Sequence, residues 1–186
     1  MTMKKLLFLI LMMLLPLAAN ADAVEIDGIY YNLIPKGNVA EVTSNPNKYT
    51  GKIVIPDSVK YYDIIYNVTS IGKYAFFQCK NFTSLTIPNS VTNIGENAFL
   101  FCDSPRELYV SNIELLFTER TGLLFCVQHL YVNGVEINEL EIPGSFTSIW
   151  DYAFEGFKVL KSVSIPHTVT SIGICARDLR FAPFAN

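Results

Sequence analysis

A motif that returns every 23 residues constrains the fold of this chain more than any other feature. Val68-Thr-Ser-Ile-Gly-Lys-Tyr-Ala-Phe76 is followed 23 positions later by Val91-Thr-Asn-Ile-Gly-Glu-Asn-Ala-Phe99. The pattern returns at Phe146-Thr-Ser-Ile-Trp-Asp-Tyr-Ala-Phe154 and begins again at Val169-Thr-Ser-Ile-Gly173. A fixed period of about 20 to 50 residues is typical of a solenoid, in which each unit buries its apolar face against its neighbours. The sequence therefore predicts stacked 23-residue coils.

Equivalent apolar side chains of successive coils should stack into one ladder along the core. The expected members are Ile71, Phe76, Ile94, Phe99, Ile149, Phe154 and Ile172. We also expect the segment from Gly72 to Phe76 to turn the corner as a single helical turn, with Ala75 and Phe76 pointing inward.

The segment that follows each motif alternates apolar and polar residues. Leu85-Thr86-Ile87 is one example, and such a period of two indicates a strand with one buried face. Prolines 88, 143 and 166 end these strands, because proline donates no ladder hydrogen bond. Stacked strands of this kind should form a parallel ladder. Its outward face would carry Thr86, Tyr109, Tyr131, Glu141 and Ser164.

The two tyrosines make this outward face the candidate binding surface. Exposed aromatic rings on a rigid scaffold supply a large contact area at a small entropic cost. The alternative is that tyrosine simply suits strands and has no further role.

Two stretches interrupt the period, near residues 59–67 and 114–139, and both predict β-hairpin insertions. Asn133-Gly134 stands between alternating apolar residues, the sequence signal of a two-residue turn. Tyr62-Asp63 marks a second turn. Residues 22–52 predict an N-terminal β-hairpin cap, and the solenoid extends over 53–173.

Residues 1–21 have the pattern of a secretory signal peptide. Two lysines precede an apolar run from Leu6 to Ala19, and Ala19-Asn20-Ala21 suits the cleavage point. The run covers 14 residues, fewer than the roughly 20 that a bilayer-spanning helix needs. No cysteine stands beside the cleavage point for attachment of a lipid. We therefore expect a secreted or cell-surface chain that is not a lipoprotein and has no transmembrane segment.

The charge of the exported chain argues against nucleic acid as a partner. Removal of residues 1–21 takes away two lysines and no acidic residue, which leaves 12 basic and 17 acidic residues and a net charge of −5. Nucleic-acid affinity depends on clustered positive charge.

The residues offer little that resembles catalytic chemistry. Cys79 and Cys102 are one coil apart, so they are either a disulfide or a ladder of small buried thiols. Cys126 and His129 have no third group at a spacing that a triad or a metal site requires, and His167 follows a proline in a loop. We predict no catalytic residue, no metal and no cofactor.

Three short motifs could carry sugars. Asn67-Val-Thr69 and Asn81-Phe-Thr83 match the N-glycosylation sequon. Asp57-Ser58-Val59 resembles a three-residue bacterial O-glycosylation motif. All three patterns also occur by chance.

Residues 68–90 resemble, nearly position by position, the repeat of the BspA-like leucine-rich-repeat family of bacterial surface proteins. The opening Ile26-Asp-Gly-Ile-Tyr-Tyr31 is similar to the N-terminal cap of that family, so the resemblance covers most of residues 24–173. It implies a leucine-rich-repeat solenoid, mostly β with short helical turns. It also implies a surface-exposed or secreted protein, and some members are adhesins that bind host matrix proteins such as fibronectin.

The C-terminal end departs from the repeat. After Gly173 the chain reads Ile-Cys-Ala-Arg177 where the family has a phenylalanine, so residues 174–186 predict a divergent cap or a truncated end. The expected function is binding of an extracellular protein or glycan, including host matrix proteins. The alternative is a structural spacer or truncated paralogue with no binding activity.

Overall fold

The computed structural model describes residues 23–103, 105–117, 121–151, 153, 160–173 and 184–185. Nearly all of its regular structure is β. The strands, in chain order, are β1 (Val24–Ile26), β2 (Ile29–Ile34), β3 (Val39–Val42), β4 (Thr50–Val54), β5 (Ser58–Tyr61), β6 (Ile64–Ile71), β7 (Asn81–Ile87), β8 (Asn93–Ile94), β9 (Glu107–Val110), β10 (His129–Val132), β11 (Val135–Ile137), β12 (Glu139–Glu141), β13 (Ser148–Ile149), β14 (Ser162–Ser164), β15 (Ser171–Ile172) and β16 (Phe184–Ala185).

Strand β7, which contains Leu85-Thr86-Ile87, lies in a sheet that we call the main sheet, with the order β11-β10-β9-β7-β4. Strands β4, β7, β9 and β10 are parallel to one another, and Leu85 pairs with Leu108, which pairs with Leu130. Each of these three leucines is fully buried. The alternation in the sequence thus places one side of the main sheet in the core and the other toward solvent.

The Val-Thr-Ser-Ile segments form a second sheet on another side of the solenoid. It has the order β1-β2-β3-β6-β5, and β8 also pairs with β6. Strands β1, β2 and β3 are an antiparallel meander, and β3 then joins β6 in parallel. Sequence reasoning assigned the Ile71-type positions to the core and did not expect them to form strands.

Both ladders continue toward the C-terminus. Strands β12, β14 and β16 form a parallel three-stranded sheet, and β13 pairs with β15. Ile149 is the register partner of Ile172, as Ile71 is of Ile94. In both cases the paired residues are 23 positions apart.

Aromatic rings stack between coils at the centre of the molecule. The rings of Phe76 and Phe99 have centroids 4.8 Å apart and planes 13° from parallel. Both side chains are buried, as are Ile71, Ile94 and Ile149, whereas Ile172 is partly exposed. Phe154, the remaining member of the expected ladder, lies outside the described residues.

The corner from Gly72 to Phe76 is not helical, and that expectation was wrong. Ala75 donates a hydrogen bond to the Gly72 carbonyl at 3.2 Å, which is a turn, and Tyr74 has a φ of 59°. A residue in the left-handed region interrupts helical geometry. Ala75 and Phe76 do point inward, since both are buried. Short 3₁₀ helices occur instead at Ile113–Phe117 and Leu123–Cys126.

The two interruptions of the period are hairpins. Strands β5 and β6 are antiparallel around Tyr62-Asp63, and β10 and β11 are antiparallel around Asn133-Gly134. Asn133 and Gly134 both have positive φ, as a type I′ turn requires. Strand β10 pairs with β9 in parallel, so the two strands belong to neighbouring coils. The β10–β11 hairpin lies within the stretch 114–139 where the insertion was expected.

No helix in the described parts of the chain combines the length and the apolar character that crossing a membrane would require.

Candidate functional site

Three of the five residues expected on the outward face form one continuous row across the main sheet. Thr86 is the register partner of Tyr109, and Tyr109 is the register partner of Tyr131. All three side chains are partly exposed, and the residue before each of them in its strand is buried. We call this set the tyrosine row.

The rings of Tyr109 and Tyr131 stack almost in parallel. Their centroids are 4.5 Å apart and the angle between their planes is 8°. The separation is close to the ~4.8 Å between neighbouring strands, so the stack follows from the register of β9 and β10. Each ring limits the rotamers of the other, which gives the row a rigid aromatic surface before any partner arrives.

Acidic groups border the stack. The Tyr109 hydroxyl donates a hydrogen bond to Glu107 Oε2 at 3.2 Å. Nδ1 of His129 lies 2.6 Å from Glu136 Oε1 at an exposed position. Desolvation is the largest cause that raises the pKa of Tyr109, and the hydrogen bond with Glu107 raises it further. Desolvation, followed by the charge of Glu136, also raises the pKa of Tyr131. Both phenols are therefore neutral hydrogen-bond donors near pH 7.

The other two expected residues lie in a different sheet. Glu141 and Ser164 are register partners in β12 and β14, and both are exposed. The five residues therefore do not share the single sheet face that the sequence had predicted, because the β10–β11 hairpin ends the main sheet. Strand β11 folds back onto the free edge of β10 and occupies its hydrogen-bonding groups, and among the described strands β12 pairs with β14.

Cys79 and Cys102 are buried thiols that form no disulfide with each other, as in the second of the two alternatives for this pair. The Cys79 sulfur accepts a hydrogen bond from the Tyr49 backbone N–H at 3.4 Å, and the Cys102 thiol donates to the Phe76 carbonyl at 2.8 Å. Burial raises the pKa of Cys79. Both thiols therefore serve as small packing groups with local hydrogen bonds.

Within the described ranges, His, Cys, Asp and Glu do not gather into any group of three that could hold a metal ion. The side chain of Cys126 lies outside the described residues. His167 is exposed.

The three glycosylation motifs all present exposed acceptor residues. Asn67 lies in β6 and Asn81 in β7, while Ser58 opens β5. Ser58 and Asn67 are register partners.

Sequence reasoning missed a second exposed aromatic group, at the corner between the sheets. Tyr74, Phe77 and Phe101 make edge-to-face contacts with centroids 5.7 and 5.8 Å apart. Lys48 lies 5.6 Å from the centre of the Phe77 ring. Tyr74 and Phe101 are 42% and 63% exposed, and both have positive φ. The sequence signal that could have indicated this group is the presence of aromatic residues at repeat positions that do not belong to the buried ladder.

A cavity of about 170 Å³ lies beside the two 3₁₀ helices, which contribute Leu116, Phe117, Leu123 and Leu124 to its lining. Its wall is mostly apolar and includes Phe117, Phe146 and Trp150. The Trp150 ring N–H donates to the Phe117 carbonyl at 3.2 Å. Trp150 stands where the other repeats have glycine, and sequence reasoning did not assign it a role.

Parallel strands that recur at a constant offset, turning corners around a buried aromatic ladder, define this protein as a leucine-rich-repeat solenoid. The sequence model of the BspA type leucine rich repeat region matches residues 52–119 and 127–176 in six copies, which is more than half of the chain. The chain belongs to this family, and the resemblance read from the repeat is confirmed.

Solved structures show the same fold. A leucine rich cell surface protein from Faecalibacterium prausnitzii A2-165 is 23% identical with a TM-score of 0.52, over 84% of this chain and 52% of that one. A leucine-rich repeat protein from Bacteroides ovatus ATCC 8483 is 27% identical with a TM-score of 0.51, over 85% of this chain and 38% of that one. The chain thus spans about half or less of these relatives. No curated protein matches it.

Proposed function

We propose that this protein is a secreted or cell-surface binding module that engages an extracellular protein or glycan through the tyrosine row. The stacked pair Tyr109 and Tyr131 carries the proposal, because it is a rigid, partly exposed aromatic surface at the centre of the main sheet. Aromatic side chains dominate binding energy at protein interfaces. The function needs no cofactor and no catalytic step.

Export and surface location are part of the same proposal. They are supported by the signal-like pattern of residues 1–21 and by the similarity to a protein described as a cell surface protein. The meander of β1 to β3 supports a role for the N-terminal strands as a cap, since it lies beside the first long strand, β6, at the start of the solenoid. Glu141 and Ser164 would extend the contact surface into the neighbouring sheet.

The decisive test is binding of the full chain to immobilised host matrix proteins, with fibronectin as the first probe, and to a glycan array. A double Tyr109→Ala and Tyr131→Ala variant should lose at least about tenfold in affinity, the ratio that roughly 1.4 kcal/mol produces. The control is Tyr62→Ala, which removes an exposed tyrosine from the tip of the β5–β6 hairpin in the other sheet.

Loss of affinity in the double variant alone, with an unchanged urea midpoint, supports the proposal. Failure to bind any matrix protein or glycan would instead favour a spacer or truncated paralogue. Equal loss in the Tyr62→Ala control would place the binding surface elsewhere.

A further inference from the structure

The main sheet has an open slot beside Tyr109. The Tyr131 ring covers one face of the Tyr109 ring. Because the two rings are nearly parallel, the faces of both rings point along the line that runs from strand to strand across the sheet. The second face of Tyr109 is therefore directed toward β7, where its register partner is Thr86. A threonine side chain is too short to cover a phenol ring, so part of this face is open.

Val54 borders the slot on its far side, with a side chain as short as that of Thr86. It is the register partner of Thr86 on the far side and is 49% exposed. Two strand spacings, about 9.6 Å, separate the positions of Val54 and Tyr109. A ring centred over Thr86 would lie about 4.8 Å from the Tyr109 ring, close to the 4.5 Å of the tyrosine stack itself. The slot has room for one six-membered ring.

One end of the slot is polar. Lys52, Ser84 and Glu107 are register partners, and each lies two residues before a member of the slot on the same side of its strand. The Glu107 carboxylate accepts one hydrogen bond from Tyr109 and keeps further acceptor positions. Lys52 is exposed and supplies three N–H donors.

We propose that this slot is a saccharide subsite, in which a pyranose ring stacks its C–H face on Tyr109 over Thr86. Its hydroxyl groups would donate to Glu107 and accept from Lys52 and the Thr86 hydroxyl. The proposal rests on the proposed function, because it names the ligand class of the same row.

The polar end of the slot favours a sugar over an aromatic side chain of a protein partner. A sugar ring has an apolar face and a rim of hydroxyl groups that both donate and accept, which matches a phenol wall with a carboxylate and an ammonium group at one end. An aromatic side chain would use the wall and leave Lys52 and Glu107 without hydrogen bonds to the ligand.

Three single substitutions separate this slot from a flat contact surface. Tyr109→Ala removes the wall. Thr86→Tyr fills the slot with a residue that suits a strand and continues the tyrosine stack, so it tests occupancy without removing an aromatic ring. Tyr131→Ala is the comparison within the tyrosine row, because it deletes the ring that supports Tyr109 from the face turned away from the slot.

The probes are an array of neutral hexose and N-acetylhexosamine oligosaccharides, and fibronectin before and after enzymatic removal of its glycans. The full chain is expressed with its own N-terminal segment, and urea melts verify that each variant is folded. We expect Tyr109→Ala and Thr86→Tyr to weaken oligosaccharide binding by at least about tenfold, and Tyr131→Ala by about threefold or less.

A different pattern would overturn the saccharide subsite and leave the proposed function standing. In that pattern the chain binds deglycosylated fibronectin, Thr86→Tyr does not weaken this binding, and Tyr131→Ala weakens it as much as Tyr109→Ala does. Oligosaccharide binding that none of the three substitutions alters would also overturn the saccharide subsite. No binding to any probe would overturn both proposals.

Discussion

The backbone nitrogen of Lys73 occupies the space into which any side chain at Gly95 would project. A Cβ built on Gly95 would come within 2.6 Å of that nitrogen. The Gly95 N–H donates to the Ile71 carbonyl at 2.8 Å, so the two coils are held at this distance by a hydrogen bond. A Cβ at Gly173 would likewise collide with the backbone of Asp151. At Gly95 and Gly173, glycine is therefore a packing requirement between coils.

Gly95→Ala should therefore destabilise the protein by about 1 to 3 kcal/mol, the usual cost of overpacking. Gly144→Ala is the control, because a Cβ there meets nothing within 4 Å, and its effect should stay within about 0.5 kcal/mol. The free energy of unfolding from urea melts measures both. Equal effects of the two substitutions would contradict the close approach of the coils.

Phe99→Ala should lower the free energy of unfolding by about 3 to 5 kcal/mol, because it opens a cavity within the aromatic ladder. Phe101→Ala is the matched control, since that ring is 63% exposed two residues further on. Its substitution should change stability by about 0.5 kcal/mol or less. A loss below about 1 kcal/mol for Phe99→Ala in denaturant melts would be incompatible with the stack on Phe76.

Two buried tyrosines should respond oppositely to removal of the hydroxyl group. The Tyr49 hydroxyl donates to the Thr43 carbonyl at 2.6 Å and accepts from the Tyr30 N–H at 3.0 Å. The Tyr66 hydroxyl is buried and has no hydrogen-bond partner among the described residues. Tyr49→Phe should cost about 1 to 3 kcal/mol, whereas Tyr66→Phe should be neutral or raise stability by about 1 kcal/mol.

Chemical denaturation of the two variants and the parent chain, under one set of conditions, gives this comparison. A loss for Tyr66→Phe as large as that for Tyr49→Phe would mean that the Tyr66 hydroxyl has a partner after all.

Stability should decline at alkaline pH. Burial raises the pKa of Tyr31 and of Tyr49 above the ordinary value near 10. Because both phenols lose their protons more readily in the unfolded chain, their contribution is complete below about pH 10 and is lost as the pH rises above it. Urea midpoints should be constant from about pH 8 to 9 and fall by about pH 11, and Tyr31→Phe should reduce the fall.

Tyrosinate absorbance provides an independent reading of the same effect. The phenols of Tyr31 and Tyr49 should ionise only when the protein unfolds, so part of the absorbance change should coincide with the loss of structure. A urea midpoint that does not change up to about pH 11 would rule out this linkage.

The period of the sequence was sufficient to align the coils. Ile71 lies beside Ile94 and Ile149 beside Ile172, as their shared place in the motif predicts. The Asn133-Gly134 pair likewise marked its turn, because few other residue pairs adopt two successive positive φ angles at low cost. These features depend on residues close in sequence or on exact repetition.

The prediction of a helical turn at the corner from Gly72 to Phe76 was wrong because hydrogen bonds with the next coil determine the backbone conformation of this segment. The Phe76 N–H donates to the Ala98 carbonyl at 2.8 Å, and the Gln78 N–H donates to the Leu100 carbonyl at 3.0 Å. Gln78 has a φ of 57°, like Tyr74, and neither residue type favours that region. Local sequence therefore gave no sign of the left-handed positions that bonds between coils impose.

The sequence by itself determined the repeat, the buried ladder and the alternation of the strands, because a recurring apolar pattern can be buried only by stacking like upon like. Tertiary structure alone decided which outward residues become neighbours. Strand β11 pairs with the edge of β10 and separates Glu141 and Ser164 from the tyrosine row. Val54 lies beside Thr86 although the β5–β6 hairpin stands between them in the sequence. The reason is that the exposed edge of a sheet can form hydrogen bonds with any strand that the tertiary structure brings beside it. The period of the sequence does not specify which strand that is.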